Sequence, residues 1–242
     1  MQSNEATNKR MKDSSESRMG AACAIVGSVV LVVGTYLHPM HADPHDVAAA
    51  FTAYAADRLW VASHLTQLAG VGLIVAALLS LAHQLEVTSH TGWSRLAGGG
   101  AIASLAVATA LQAVDGVALK VMVDTWAAAP VAHKEVTFYA AFAVRQVEVG
   151  VASTASLLFG LTATIYGVAL LRVPMYPKWV AGLALVGGVP ATIAGVMMAY
   201  TGFSGMAMAI HMPAYSLLVV WMLTLGVCMW RRGGILPEER TV

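Results

Sequence analysis

A chain of 242 residues that is 58% hydrophobic and only 11% charged is far more apolar than a soluble domain, in which about a quarter of residues carry charge. Its formal net charge of +1 supplies no basic face to neutralise phosphates, which sets nucleic acid aside as a partner. The two cysteines, Cys23 and Cys228, fall in the first and last apolar segments, so no extracellular disulfide framework is built from them.

Charges bunch at segment ends and leave apolar stretches of about 20 residues, the length that crosses a hydrocarbon core as helix. The fold class that follows is all-α, a polytopic membrane bundle of six transmembrane helices. Residues 1–18 are rich in Ser, Asn, Glu and Lys and offer little to bury, so they read as a disordered cytoplasmic tail. The transmembrane domain then covers 19–232, and 233–242 form a second cytoplasmic tail. The first span, about 19–37, reads as an uncleaved signal anchor, because Met40-His41-Ala42 is a poor cleavage site. It stops at His38-Pro39, where proline removes a donor and disfavours helix in the residue before it.

A short helix is expected next, with Asp43 as its cap, Pro44 in its first turn and Asp46 near its positive end. Val47, Phe51 and Tyr54 follow at spacings of four and three, which predicts an interfacial helix lying flat on the outer membrane surface, anchored by Trp60. The second span is about 61–83. The third, about 95–116, continues as helix beyond the membrane to about Trp126, and Pro130 ends it. The fourth, about 149–171, has a charged, aromatic lead-in over 133–148, so spans three and four predict a protruding hairpin. Span five, about 179–200, carries Pro190, where a kink is expected; span six is about 210–230. Ala184 with Gly188 and Ala191 with Gly195 recur at spacings of four, which lets helix backbones approach closely.

Lysine and arginine placement sets the orientation. Lys9, Arg10, Lys12, Arg18, Arg95, Arg172, Lys178, Arg231, Arg232 and Arg240 fall on one side, against Arg58, Lys120, Lys134 and Arg145 on the other. The larger set faces the cytoplasm, giving a multi-pass protein of the cell (inner) membrane with both termini cytoplasmic.

The run Ala169-Leu170-Leu171-Arg172, the turn before Pro177-Lys178-Trp179, the stretch Ala181-Gly182-Leu183-Ala184 and the close of the last span at Leu223-Thr224-Leu225-Gly226 resemble a bacterial integral-membrane family of the domain-of-unknown-function 4386 type. The alanine-rich segment from Asp43 to Ala56 is similar to that family's outer segment after the first span. The likeness runs loosely over most of 19–232. The family often places an Arg and a Gln close together in its third span, whereas here no Arg lies near and before Gln112. The resemblance implies a fold and carries no activity.

Counting inward from the cytoplasmic ends brings Asp115 of span three and Arg145 with Glu148 of span four to one depth. His38 ends span one, His64 lies a turn inside span two, and His211 opens span six. With Gln67 and Gln112, these form a candidate outward-facing polar layer. One account is structural: helix ends at an interface hold polar residues, and Asp115 pairs with Arg145 across helices. On that account the chain is a non-enzymatic membrane protein of unknown activity, a ligand- or partner-recognising sensor, accessory subunit or small transporter. It carries no cofactor, and its partners are the lipid bilayer and a membrane protein or a second copy. The other account is a metal-dependent or haem-containing membrane enzyme, because imidazole and carboxylate suit a divalent metal and ionisable groups near hydrocarbon are costly. Its ligands would come from His64, Asp115 and His211, or from His41 and His45 in the loop, with His64 facing His211 for a haem.

Overall fold

A computed structural model describes residues 2–38, 46–89 and 92–234. The chain forms α1 (Gln2–Leu37), α2 (Val47–Ala56), α3 (Trp60–Ser89) and α4 (Gly92–Leu111), which passes through a π-helical segment, Gln112–Leu119, into α5 (Lys120–Ala128). A 3-10 turn at Val131–His133 leads into α6 (Lys134–Leu171), followed by α7 (Lys178–Thr201) and α8 (Gly205–Gly234). Among the described residues there is no strand, and six helical stretches are long and apolar enough to cross a membrane. The build is that of a multi-pass membrane protein.

Backbone proximity holds the bundle together, since lipid gives helices no hydrophobic reason to associate. α6 packs on α7 where Gly160 meets Gly188: a Cβ at Gly188 would sit 2.7 Å from the Gly160 carbonyl oxygen, and one at Gly195 would sit 2.5 Å from the Leu157 nitrogen. α1 packs on α3 in the same way, with a Cβ at Gly70 falling 2.6 Å from the Leu31 nitrogen. Ala184, Gly188, Ala191 and Gly195 are all buried.

Several expectations change. Residues 2–18, read as disordered, continue α1 as helix. Ser17 Oγ donates to the Met229 carbonyl at 3.0 Å and Arg18 Nε to the Gly233 carbonyl at 3.1 Å, so Arg18 supplies a partner to one of the carbonyls that the end of α8 leaves unsatisfied. α2 is capped by Asp46, whose Oδ1 accepts from the Ala49 N–H at 3.0 Å; Asp43 and Pro44 lie outside the described residues. The apolar face of α2 does not lie open to lipid. Phe51 and Tyr54 are buried against Leu119, Val123 and Ala141, with Trp126 and Phe138 packed around them. The hairpin explains this. The continuous helix Gly92–Ala128 has 37 residues, about 55 Å of rise against a hydrocarbon core of about 30 Å. Its far end and the start of α6 therefore present aromatic surface beyond a membrane's thickness, and α2 covers it.

Candidate functional site

α3 starts in a turn where Asp57 Oδ1 accepts the Leu59 N–H at 2.7 Å, and its first residue, Trp60, is 1% exposed. Trp60 is therefore not a lipid anchor. One helical turn later, His64 Nδ1 lies 2.7 Å from the Trp60 carbonyl oxygen. Because a carbonyl only accepts, Nδ1 carries the proton, and Nε2 is turned toward Asp115 Oδ2 at 3.1 Å.

Asp115 stands in the π-helical segment, a distortion that occurs often at functional sites. Its carbonyl accepts the Trp60 indole N–H at 3.0 Å. The next residue is Gly116, where a Cβ would come within 2.6 Å of His64 Cβ; the absent side chain is what lets α3 approach this closely. Three residues further in along both helices, Gln112 Nε2 donates to Gln67 Oε1 at 3.2 Å. Gln112 Oε1 is buried and has no hydrogen-bond partner among the described residues.

From α6, Arg145 Nη1 donates to Glu148 Oε2 at 2.5 Å across one turn, and Glu148 is 3% exposed. The pairing expected between Asp115 and Arg145 is replaced by two others, Arg145 with Glu148 and Asp115 with His64. The cause is local, since a partner three residues along the same helix is already within reach. Lys120 does not neutralise Asp115 either: its ammonium donates to the carbonyls of Tyr54 and Ala55 and to Asp124 Oδ1.

Aromatic rings roof the layer. Tyr54 lies 4.4 Å from Trp60, centroid to centroid, Trp60 4.7 Å from His64, and His38 4.8 Å from Trp60 and 5.0 Å from His64. The Arg145 guanidinium sits 4.9 Å from the Phe203 ring and 5.8 Å from that of Tyr54. Burial, aided by His64, pushes the His38 imidazole below its usual value, and burial pushes the Tyr54 phenol up. One donor atom each from His38, His64 and Asp115 lie within 4.8 Å of one another. Beside Arg145, a cleft of about 160 Å³ runs between Val47, Phe142 and Gln146 and the turn Thr201–Ser204. That turn is made by Gly202, whose φ of 62° is left-handed and suits glycine.

His211 is elsewhere. It lies inside α8 rather than at its start, its Nδ1 is 3.2 Å from Ser156 Oγ, and its ring packs 4.1 Å from Tyr215. The two histidines expected to face one another, His64 and His211, thus take separate partners, and His38 completes the group in place of His211. His41 and His45 lie outside the described residues. Sequence reasoning missed Trp60 and Gly116 as site residues. The signals were present: Trp60 is one turn before His64, and Gly116 adjoins Asp115. No protein-family model matches the chain, and no curated protein or solved structure matches it either.

Proposed function

We propose that this is a cell-membrane protein with both termini in the cytoplasm that works by recognition rather than catalysis, as a sensor, accessory subunit or small transporter. The layer of buried His64 and Glu148 with half-buried His38, Asp115 and Arg145 is its ligand site, under an outward cap made by α2 and the hairpin. One observation carries the reading: ionisable side chains from α3, the π-helical segment and α6 are sequestered at one level beneath that cap. Such groups are expensive near hydrocarbon and are kept there when they serve a purpose. Glu148 is held by a guanidinium, and Asp115 faces an imidazole nitrogen. The cleft beside Arg145 has room for a small molecule and offers a route to the layer.

The excess of lysine and arginine on the side assigned to the termini, ten of 14, supports the orientation. The resembled family, an integral-membrane group catalogued without an activity, fits the same reading.

Single-cysteine labelling tests it. With Cys23 and Cys228 replaced by serine, Thr52→Cys and Gln146→Cys should react with a membrane-impermeant maleimide on intact cells. Lys178→Cys should react only after permeabilisation. All three positions are exposed. If position 178 reports the same side as position 52, or if position 146 reacts only after permeabilisation, the outward-facing site is wrong.

A further inference from the structure

The layer as described has a charge to be filled. Arg145 cancels Glu148, and Lys120 is committed elsewhere, which leaves His64 as the ionisable side chain that faces Asp115 among the described residues. Because Nδ1 of His64 donates to the Trp60 carbonyl, a neutral His64 presents the lone pair of Nε2 to a carboxylate oxygen 3.1 Å away. Two lone pairs do not rest at that distance without positive charge between them. A proton on Nε2 would supply it, and so would a metal ion.

Three features favour the metal. The separation of 3.1 Å is close to the edge of a tetrahedron of ligands bound at about 2.0 Å, which is about 3.3 Å. The second nitrogen of His64 is held by a backbone carbonyl, the arrangement that fixes the tautomer and aim of a ligating histidine. A third donor, His38, stands within 4.8 Å of the other two; it lies just past the end of α1, where a small side-chain adjustment closes the set.

We propose that His64 Nε2, Asp115 Oδ2 and an imidazole nitrogen of His38 form a three-ligand site for a divalent transition-metal ion, with zinc as the representative. A fourth position is left for water or for a small ligand donor. Two imidazoles and one carboxylate suit zinc, cobalt or ferrous iron over magnesium or calcium, which prefer oxygen shells. This names the ligand of the recognition site proposed above and rests on that reading only for its purpose.

The experiment uses the full-length chain in detergent, stripped with a chelator and then titrated with Zn²⁺ and, separately, Co²⁺. One zinc per chain by elemental analysis after desalting is expected, together with cobalt d–d absorption in the visible, both undisturbed by millimolar Mg²⁺. His38→Ala and Asp115→Asn should each weaken zinc binding by about 100-fold or more, since loss of an outer partner of a ligand already costs about 10- to 100-fold. His211→Ala should leave binding unchanged. Circular dichroism and gel filtration identify variants that have not folded, and His38→Gln stands in if His38→Ala has not. Wild-type protein that holds no stoichiometric zinc overturns the proposal and assigns the His64–Asp115 contact to a proton. Retention of full affinity by His38→Ala or Asp115→Asn, or loss of zinc to Mg²⁺, overturns it equally. None of these outcomes alters the labelling pattern, so failure of the metal site and failure of the outward-facing reading are separable.

Discussion

Glu148 and Arg145 show what a single residue decides inside this bundle. A carboxylate that is 3% exposed is tolerated because a guanidinium three residues earlier holds it, and the penalty falls on whoever removes one partner alone. Arg145→Gln should therefore lower stability by about 3–5 kcal/mol, whereas Arg145→Gln with Glu148→Gln should recover much of that loss. Thermal unfolding of the two variants in detergent measures it, and a double variant no better than the single would show that the charge was not the problem. Gly116 makes the complementary point about space. Adding one methyl group there drives it into His64 Cβ, so Gly116→Ala should cost about 1–3 kcal/mol by overpacking. Gly99→Ala, a helical position with nothing near its missing Cβ, should be neutral or stabilising by up to about 1 kcal/mol. Equal effects at both positions would contradict a backbone approach at Gly116.

At the scale of elements, α2 and the hairpin behave as one aromatic unit. Phe51 is 1% exposed and its ring lies 5.6 Å from that of Phe138 and 5.9 Å from that of Trp126. The amphipathic face of α2 is therefore satisfied by protein, and its attachment depends on these contacts more than on lipid. Phe51→Ala should remove about 3–5 kcal/mol of packing. Because α2 connects through the turn Asp57–Leu59 to the helix that carries His64, release should show as faster proteolysis in that turn while the six long helices stay intact. An unchanged cleavage rate would mean that α2 is held by something other than this cluster.

Across the whole molecule, the outward surface is what marks the solvent. α1 exposes Val26, Val29, Val32 and Val33, and α7 exposes Val186, Val189, Ile193 and Val196, rows that water would not leave uncovered on a soluble bundle. Membranes washed with alkaline carbonate should keep the chain in the pellet, and its appearance in the supernatant would remove the basis for a spanning bundle. The contact of Ser17 and Arg18 with the end of α8 closes the first and last helices against each other.

Hydropathy alone was enough to read an all-α chain with six long apolar helices, because hydrocarbon forces backbone amides to pair within their own segment and each crossing announces itself as an uncharged run. The over-long hairpin was legible for the same reason, since spans three and four continue past a membrane's length in helix-compatible residues. Pairings were not legible. Sequence depth placed Asp115, Arg145, Glu148, His64 and His211 near one boundary, but depth says nothing about which way a side chain points around its helix. A π-helical turn at Gln112–Leu119 shifts that facing in a way no periodicity discloses. Only the packed bundle decided that Asp115 meets His64 rather than Arg145, that His211 turns to Ser156, and that Trp60 roofs the site instead of anchoring in lipid. These are choices made by close approach between helices distant in sequence, and the glycines that permit the approach act only once both helices are present.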